Sequence, residues 1–468
     1  MGEKRLYLLD ATAFCYRAFY AFSGLSTSFG QPTNAIYGFI NILNKILKDN
    51  KPEYLAVCFD VSRDTFRTKK FAEYKIQRPP MPDDLVSQIP FIKKLVKAYG
   101  LALCELEGFE ADDVIATLSR KAKEEGFKVT VVSSDKDMLQ LVDKDTQVFS
   151  PYKDEGVMYD TDKVIERFGV KPEKITDIIA LIGDTVDNIP GVKGIGEKTA
   201  QELLAQFGSL DKLLAHPEKI KQAKARQLIE DNIDLIKLNK ELAVLDSKVG
   251  LGLTLKDLKI GLADNEELFK IFKHLEFRKF LKGLPQVEEE AAPDLKVAND
   301  DELEGALKSG DELYFYIDSP ENIVLCVHKH ILAFSGIGKN LKKILEDAGI
   351  KKISHDLKRA QVLLAKEGIG LRGLDFDTMI AAYLANPSKS SYGLADLALD
   401  YLDEPLIKNM SAQKALDCVI KLKPKLEKEL AEKSMASLFA DLEMPLVEVL
   451  AGMEINGIKI DTVLLKKL

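Results

Sequence analysis

Acidic residues at short, repeated spacings are the part of this sequence with the clearest chemical meaning. Carboxylates gathered in one place repel one another strongly unless cations neutralise them. Oxygen ligands without histidine favour Mg²⁺ or Mn²⁺ over zinc, and the first histidine in the chain is His216. The sequence therefore predicts a divalent-metal site built from these acids: Asp10, Asp60, Glu110, Asp112, Asp113, Asp135, Asp137, Asp184 and Asp187.

Three short apolar runs are expected to bring these acids together. Residues 5–9, 54–59 and 128–132 are predicted to be buried strands, with helical periodicity between them. Asp10 and Asp60 directly follow the first two runs. Since ligands of open α/β sheets bind at the carboxyl ends of the strands, we expect the acids to converge at that edge.

The segment Gly-Phe-Glu110-Ala-Asp112-Asp113 is predicted to open an amphipathic helix. Glu110 and Asp113, three residues apart, then share one face of that helix. Aspartates at strand ends and helix starts also serve as helix N-caps, and this simpler role stays open for Asp112 and Asp184.

A glycine-rich turn follows the last acidic pair and is predicted to join two helices. Its backbone N–H groups and two lysines suit a phosphate site that reads no base sequence. Such a turn alone is more often an ordinary helix connection, and its position directly after Asp184 and Asp187 is what favours a phosphate site. The residues concerned are Gly191, Lys193, Gly194, Gly196 and Lys198.

A basic segment, 61–80, carries six basic residues against two acids. We expect a flexible arch near 61–90 that holds phosphates over the acidic site, although an ordinary solvated charged face is the alternative. Tyr16 and Arg17, about two turns into the helix after Asp10, are expected to face the same region. The basic residues are Arg63, Arg67, Lys69, Lys70, Lys75 and Arg78.

Composition sets the broad class. A chain of 468 residues exceeds the size of one hydrophobic core, so several domains are expected. Five cysteines without C-x-x-C spacing argue against a disulfide framework and a zinc site, and favour a reducing cytoplasm. No apolar run suggests export or a membrane. A net charge of −8 does not exclude a nucleic-acid partner, because basic residues can gather apart from the acidic site.

Periodicity and linker composition divide the chain into five predicted segments. Prolines and a charge run near 283–293 indicate the linker. The predicted segments are an α/β core at 1–175, a helical subdomain at 176–284, a linker at 285–297, a second α/β domain at 298–435 and the start of a further domain at 436–468.

At the level of whole motifs, the chain resembles the 5′ nuclease domain of bacterial DNA polymerase I, a relative of the flap endonucleases. The resemblance is carried by Cys-Phe-Asp60, Gly-Phe-Glu-Ala-Asp-Asp113, Ser-Asp-Lys-Asp137 and the run from Gly183 to Ala200. It implies a PIN-like α/β nuclease sheet with a helix-hairpin-helix subdomain. The implied substrate is duplex DNA with a 5′ flap, nick or RNA primer, handled by a monomer in replication and repair.

The resemblance also implies roles for the candidate residues. Two Mg²⁺ or Mn²⁺ ions would act in an in-line displacement. Asp10, Asp60, Glu110, Asp112 and Asp113 would serve mainly one ion, and Asp135, Asp137, Asp184 and Asp187 mainly the other. Arg17, Arg67 and Lys75 would assist catalysis, Tyr16 and Arg78 would contact DNA, and the hairpin would grip duplex backbone, with a K⁺ ion on its carbonyls.

Residues 298–435 resemble the 3′–5′ proofreading domain of the same polymerases, but the metal-binding acids are missing. The first motif reads Ile-Asp318-Ser-Pro-Glu, and Ala360 and Ala415 lie near positions where acids are expected. We therefore expect a catalytically dead RNase-H-like domain. Residues 436–468 are similar to the entry to the polymerase domain, without its palm.

Two other classes of function remain to be weighed. A non-catalytic DNA-binding scaffold requires an incomplete carboxylate set, whereas this chain has all nine acids. A single-strand RNA nuclease of the PIN type shares the acids but predicts no glycine hairpin, and this sequence has one.

Overall fold

The structure, a computed structural model, describes residues 4–151, 156–285, 287–288, 297–389, 391–405, 407–459, 461–462 and 466. It forms two compact units, Met1–Leu281 (unit 1) and Lys282–Leu468 (unit 2). Most of the predicted linker at 285–297 lies outside the described residues.

Unit 1 is built on one sheet. Its strands are β1 (Arg5–Asp10), β2 (Tyr54–Cys58), β3 (Ala102–Cys104), β4 (Lys128–Val132), β5 (Thr146–Ser150) and β6 (Val157–Tyr159). They lie in the order β3-β2-β1-β4-β5-β6, parallel except for β6. Leu6, Leu8 and Leu9 of the central strand are buried, as expected for a strand with both faces covered. The predicted α/β fold is confirmed.

The strand register brings the candidate acids to one edge. Leu9 of β1 is level with Val57 of β2 and with Val132 of β4, so the carboxyl ends of these three parallel strands meet. Asp10 is the last residue of β1 and is level with Cys58. The acids that follow each strand therefore begin from the same edge of the sheet.

Helices cover this sheet and then continue as a helical segment. Those in the first part are α1 (Ala11–Ala21), α2 (Asn34–Asn50), α3 (Phe66–Lys70), α4 (Asp83–Val86), α5 (Ile89–Ala98), α6 (Ala111–Glu124) and α7 (Thr161–Phe168). The later ones are α8 (Ile175–Ile182), α9 (Glu197–Phe207), α10 (Leu210–Ala215), α11 (Ala223–Asp231), α12 (Ile233–Ala243), α13 (Asn265–His274) and α14 (Arg278–Gly283). Short 3₁₀ helices span Lys136–Leu141, Pro172–Lys174, Pro217–Lys219 and Leu255–Leu258.

Unit 2 contains a second sheet. Its strands are the short β7 (Val287–Glu288), then β8 (Glu312–Ser319), β9 (Asn322–Val327), β10 (His330–Phe334), β11 (Lys351–Ser354), β12 (Leu374–Asp377) and the short β13 (Ile407–Lys408). The main sheet has the order β10-β9-β8-β11-β12, with β8 to β10 antiparallel and β11 and β12 parallel to β8. β7 pairs with β13.

The helices of unit 2 are α15 (Lys339–Glu346), α16 (Leu357–Lys366), α17 (Thr378–Ala385), α18 (Leu394–Leu397), α19 (Ala412–Glu432), α20 (Ala436–Leu438) and α21 (Met444–Asn456), with a 3₁₀ helix at Asp300–Leu303 and π-helical turns at Ala398–Leu402 and Phe439–Glu443. The last helix, α21, packs on α16 and is joined to it by an ion pair between Lys358 and Glu454 (2.6 Å). Its residues thus share the core of unit 2. No helix among the described residues is long and apolar enough to cross a membrane.

Candidate active site

Ser133, directly after β4, joins two of the predicted acids. Its hydroxyl donates a hydrogen bond to Asp10 Oδ2 (2.7 Å) and accepts one from the backbone N–H of Asp135 (3.0 Å). Burial raises the pKa of Asp10 to about 7, helped by the charges of Asp60 and Asp135 and opposed by the Ser133 hydrogen bond. Ser133 was missed from the sequence, although a hydroxyl residue between a strand and an acid was a usable signal.

The start of α6 brings in further acids from the neighbouring strand connection. Asp60 Oδ1 accepts a hydrogen bond from the Ala111 backbone N–H (2.8 Å), which ties the end of β2 to the first turn of α6. Burial, followed by the charges of Asp135 and Asp10, raises the pKa of Asp112 well above its ordinary value. Asp112 therefore belongs to the same electrostatic group as the acids at the ends of β1 and β4.

The acids after β4 form a second group with those of the hairpin loop. Burial raises the pKa of Asp137 well above its ordinary value, and the charges of Asp135, Asp187 and Asp184 add to this effect. Asp137 Oδ1 is buried and has no hydrogen-bond partner. A buried, unpartnered carboxylate oxygen beside other carboxylates fits an ion-binding position, because burial without a partner is costly.

Basic and phenolic side chains from the segment after α3 lie among these acids. Lys75 Nζ is 2.9 Å from Glu110 Oε2 and 3.4 Å from Asp187 Oδ2, and Arg78 Nη2 is 2.6 Å from Asp187 Oδ1. The buried Tyr74 hydroxyl lies 2.9 Å from Asp187 Oδ2. Despite the cost of burial, the surrounding negative charges raise the pKa of Lys75, so its ammonium is charged.

A third cation, Lys136, pairs with Asp184 (2.9 Å). Within the described ranges, no three acidic, histidine or cysteine side chains are arranged so that they hold one metal ion together. The acids do converge, but lysine and arginine groups stand between Glu110, Asp187 and Asp184 and neutralise part of their charge. The chemistry of the donor set still fits a divalent cation, since it consists of oxygen ligands with an orphaned buried carboxylate oxygen.

Asp113 and Arg67 are placed differently from the prediction. Arg67 donates to both carboxylate oxygens of Asp113, at 2.7 and 2.8 Å, and also to the carbonyls of Leu242 (2.9 Å) and Val244 (3.0 Å). Asp113 accepts a further bond from the Asp246 N–H (2.8 Å). With both side chains almost inaccessible, Asp113 is not a free metal ligand and Arg67 does not reach DNA from an open arch.

One part of the predicted arch, residues 73–78, also contacts the acidic edge. The Lys75 backbone N–H donates to the Asp187 carbonyl (3.0 Å), and Tyr74 is buried in the core. Asn188 donates to the Glu73 carbonyl (2.7 Å) from the other side. These bonds tie residues 73–78 to the loop around Asp187, so this part of the segment does not stand free of the acidic edge.

Tyr16 and Arg17 lie on α1, as predicted, but Arg17 points to the end of β5. Its guanidinium donates to the Pro151 carbonyl, and it lines a cavity of about 330 Å³ together with Phe22 and Phe149. Tyr16 is half-buried. The structure thus brings Arg17 to a strand end of the same sheet, on the β5 side of the carboxylates.

The glycine hairpin lies between α8 and α9. A β-carbon on Gly191 would be 2.0 Å from the Ile182 carbonyl oxygen, so this glycine is required by contact within the protein. Gly183, with φ +76°, lies on the other side of this close approach, since a β-carbon there would be 2.3 Å from the Gly191 backbone nitrogen; its role was missed from the sequence. Gly194 (φ +102°) and Gly196 have open space around them, apart from a contact of Gly194 with Leu228.

The two predicted hairpin lysines, Lys193 and Lys198, are exposed. Asp184, two residues after the end of α8, exchanges two backbone hydrogen bonds with Ile189 (2.8 Å each), which closes the loop before the hairpin. Its side chain also accepts a hydrogen bond from the Val186 N–H (2.8 Å) within this turn. No helix begins at this turn, since the next one starts at Glu197, so Asp184 is not the helix N-cap that the sequence left open.

In unit 2, alanines occupy the positions where the proofreading domain is expected to carry metal-binding acids. Ala360 and Ala415 are buried in its core, and Asp318 pairs weakly with Arg359 (3.4 Å). Asp377 is buried, which raises its pKa to about 6, and it accepts backbone bonds at the starts of α16 and α17. Its oxygens thus hold two helix ends.

Three family models match this chain. They are the N-terminal resolvase-like domain of 5′–3′ exonuclease over residues 5–169, the C-terminal SAM fold of 5′–3′ exonuclease over 170–266, and the ribonuclease H-like domain of DNA polymerase I over 321–408. The sheet with its acidic edge and the helical hairpin region together define unit 1 as a 5′ nuclease.

Curated relatives extend this match over the whole chain. It is 44% identical to a 5′–3′ exonuclease of Aquifex aeolicus over 62% of this chain and 98% of the relative. It is 35% identical to DNA polymerase I of Bacillus subtilis over 100% of this chain and 57% of the relative. The chain belongs to the 5′–3′ exonuclease family. It spans a little over half the length of the DNA polymerase I relatives that it matches.

Among solved structures, a bacteriophage T5 flap endonuclease in a complex with DNA and metal ions is similar at 22% identity, with a TM-score of 0.44, over 52% of this chain and 90% of that one.

Proposed function

We propose that unit 1 cuts duplex DNA at 5′ flaps, nicks and RNA primers with two divalent ions, Mg²⁺ or Mn²⁺, during replication and repair. The observation that carries the proposal is the buried, unpartnered Asp137 Oδ1 among carboxylates whose pKa values are raised. Ionised acids in this position are unstable until cations join them.

The electrostatic neighbours suggest how the acids divide. Asp10, Asp60 and Asp112 form one group, Asp137, Asp184 and Asp187 form another, and Asp135 acts on both. Divalent ions held by these two groups would supply Lewis acidity and a bound water of lowered pKa. Asp113 is left out of the ligand set, because its oxygens are occupied by Arg67.

The protein cations have a role that changes with the substrate. Lys75 and Arg78 neutralise Glu110 and Asp187 while the edge is empty of phosphate. With divalent ions bound by the carboxylates, Lys75 and Arg78 would be available to pair with the scissile phosphodiester, which carries its own negative charge. They then orient the 5′ strand and stabilise charge that develops in the transition state.

The hairpin holds the duplex away from the reacting bond. Gly194 and Gly196 leave the backbone open to a phosphate or to a K⁺ ion on the carbonyls, and Lys193 and Lys198 lie beside them. Such contacts carry no sequence information. Unit 2 is proposed to lack 3′–5′ degradation, because Ala360 and Ala415 are core residues.

Gel analysis of an end-labelled 5′-flap duplex with the full chain tests the nuclease proposal. Cleavage near the junction to a 5′-phosphate and a 3′-hydroxyl with Mg²⁺, and none with chelator, is expected. Binding without cleavage in Mg²⁺ and in Mn²⁺ would support the scaffold alternative, and preferential cleavage of single-stranded RNA would support the PIN-type alternative. A 3′-labelled strand with the 5′ site inactivated by Asp137→Asn should remain intact.

A further inference from the structure

We propose that three lysines around the start of α11, Lys219, Lys221 and Lys224 (the α11 strip), extend the duplex-binding surface of the hairpin along the DNA backbone. This inference rests on the proposed function, since it assumes that the hairpin holds duplex. The proposed ligand of the α11 strip is the phosphate backbone of duplex DNA beyond the hairpin contact.

The charge of this segment is one-sided. Residues 219–229 contain four basic residues and no acid. Arg226 is used inside the protein, where Nε and Nη2 donate to the Ile220 carbonyl at 3.1 and 2.7 Å. Ala225 and Ile229 bury the opposite face of the helix. The three remaining cations are all exposed, so a local reason accounts for the arginine but not for the lysines.

The strip is joined to the hairpin by direct contact. A β-carbon on Gly194, at the hairpin tip, would lie 3.1 Å from Leu228 Cδ1. Leu228 is four residues after Lys224 and therefore on the same side of α11. Lys224 is thus about one helical turn, roughly 5.4 Å along the axis, from the residue that touches the tip.

The other end of the strip is fixed by α9. This helix begins directly after the hairpin, and Gln206 near its end donates a hydrogen bond to the Lys219 carbonyl (3.1 Å). The 11 residues of α9 span about 16 Å. The strip therefore runs from the hairpin towards the far end of α9, over about the length of that helix.

Its length suits a nucleic-acid backbone. One strand of a duplex carries a charge about every 3.4 Å of axis, so a surface of about 16 Å follows roughly five phosphates. Exposed lysine ammonium groups suit contacts that hold a duplex without reading its bases. Because Lys193 and Lys198 begin the same surface, the strip should act on duplex that continues past the hairpin.

The test compares the full-length double variant Lys221→Ala/Lys224→Ala with wild type in duplex binding without divalent ions. Losing two phosphate contacts should lower the salt slope of log affinity by about 1.8, so the advantage of wild type at 50 mM salt should be about tenfold larger than at 200 mM. Lys221→Arg/Lys224→Arg should keep the wild-type slope. On a duplex arm cut back to end at the hairpin, wild type and the alanine variant should converge.

A matched control is Lys97→Ala/Lys256→Ala, which removes two exposed lysines near the amino ends of the strands, opposite the acidic edge. Its salt slope should equal that of wild type. An equal fall in slope in both double variants, or no fall in the Lys221→Ala/Lys224→Ala variant, would show that the α11 strip does not bind duplex DNA. If wild type itself neither binds nor cuts the flap duplex, the proposed function fails instead.

Discussion

Arg67 and Asp113 form a buried ion pair in which the guanidinium meets both carboxylate oxygens, at 2.7 and 2.8 Å. The pair lies at the first turn of α6, one residue from Asp112, which faces the acidic group. An arginine in a basic segment and an aspartate in an acidic motif thus pair with each other. Arg67 is therefore not available to contact DNA, and Asp113 is not available to bind a metal ion.

Arg67→Ala should lower the free energy of unfolding of the protein, and not only its rate of DNA cleavage. Removing one member leaves a buried carboxylate unpaired, which costs about 3–5 kcal/mol of unfolding free energy. Urea unfolding measures this, with Lys69→Ala as the control, since Lys69 pairs with Asp64 at an exposed site and should cost about 1 kcal/mol or less. A folded, stable Arg67→Ala protein with a much lower single-turnover rate would contradict this structural role and show that Arg67 acts directly on the substrate.

The acidic edge should make stability depend on pH when no divalent ion is bound. The pKa of Asp10 rises from 3.8 to about 7 on folding, so the folded state holds the extra proton between these values. The free energy of unfolding should therefore fall as the pH rises from about 4 to 7, by up to about 4 kcal/mol.

Unfolding at pH 5 and pH 7 in chelator measures this slope. Saturating Mg²⁺ should flatten it, because a bound cation favours the ionised carboxylate. Asp10→Asn should also flatten it and should raise stability at pH 7. An Asp10→Asn protein with the wild-type slope in chelator would show that the proton is held elsewhere.

Two glycines of the hairpin should respond differently to alanine. Gly191→Ala forces a methyl against the Ile182 carbonyl, with backbone on both sides, and should cost about 3 kcal/mol and weaken duplex binding. Gly196→Ala meets no atom within 4 Å and has an ordinary φ of −94°, so only its helix-capping position is affected, at about 1 kcal/mol or less. Thermal melting and duplex affinity check both variants, and equal losses would contradict the assigned packing role of Gly191.

Cations at the acidic edge and in the hairpin should affect different steps, the cleavage rate and the duplex affinity respectively. Lys75→Ala should lower the single-turnover cleavage rate more than duplex affinity, because its phosphate contact strengthens in the transition state. Lys193→Ala should weaken binding and lower the salt slope by about one, with little change in the saturated rate. Both are measured on one flap substrate at several salt concentrations, and a loss of affinity alone in both variants would refute the division.

Much of the acidic edge could be predicted because it depends on local patterns. Asp10 and Asp60 follow apolar runs that become parallel strands, and parallel strands end at a common edge. The Arg67–Asp113 pair could not be predicted in this way, since its other partners, Leu242, Val244 and Asp246, are far away in sequence. Its geometry is decided by tertiary packing, which charge patterns do not encode.

The attachment of residues 73–78 to the acidic edge could not be predicted from the sequence for a related reason. The charges of this segment predicted that it is exposed to solvent. Tyr74 and the Lys75 backbone nevertheless bind to the loop around Asp187, which is more than a hundred residues later in the sequence. Gly191 was found from the sequence, but for a different purpose: its missing side chain first serves a contact with Ile182 inside the protein.

The bonds of Arg67 to Leu242 and Val244 bear on how unit 1 can be divided. The two exonuclease matches meet between residues 169 and 170, yet the guanidinium that neutralises Asp113 before that junction depends on carbonyls after it. A shortened gene that stops at the junction would encode a sheet in which Arg67 and Asp113 lose the Leu242 and Val244 carbonyls and the Asp246 N–H that complete their hydrogen bonds. The two matched regions are therefore halves of one cooperative folding unit, and insertions or recombination between them must preserve the loop that follows α12.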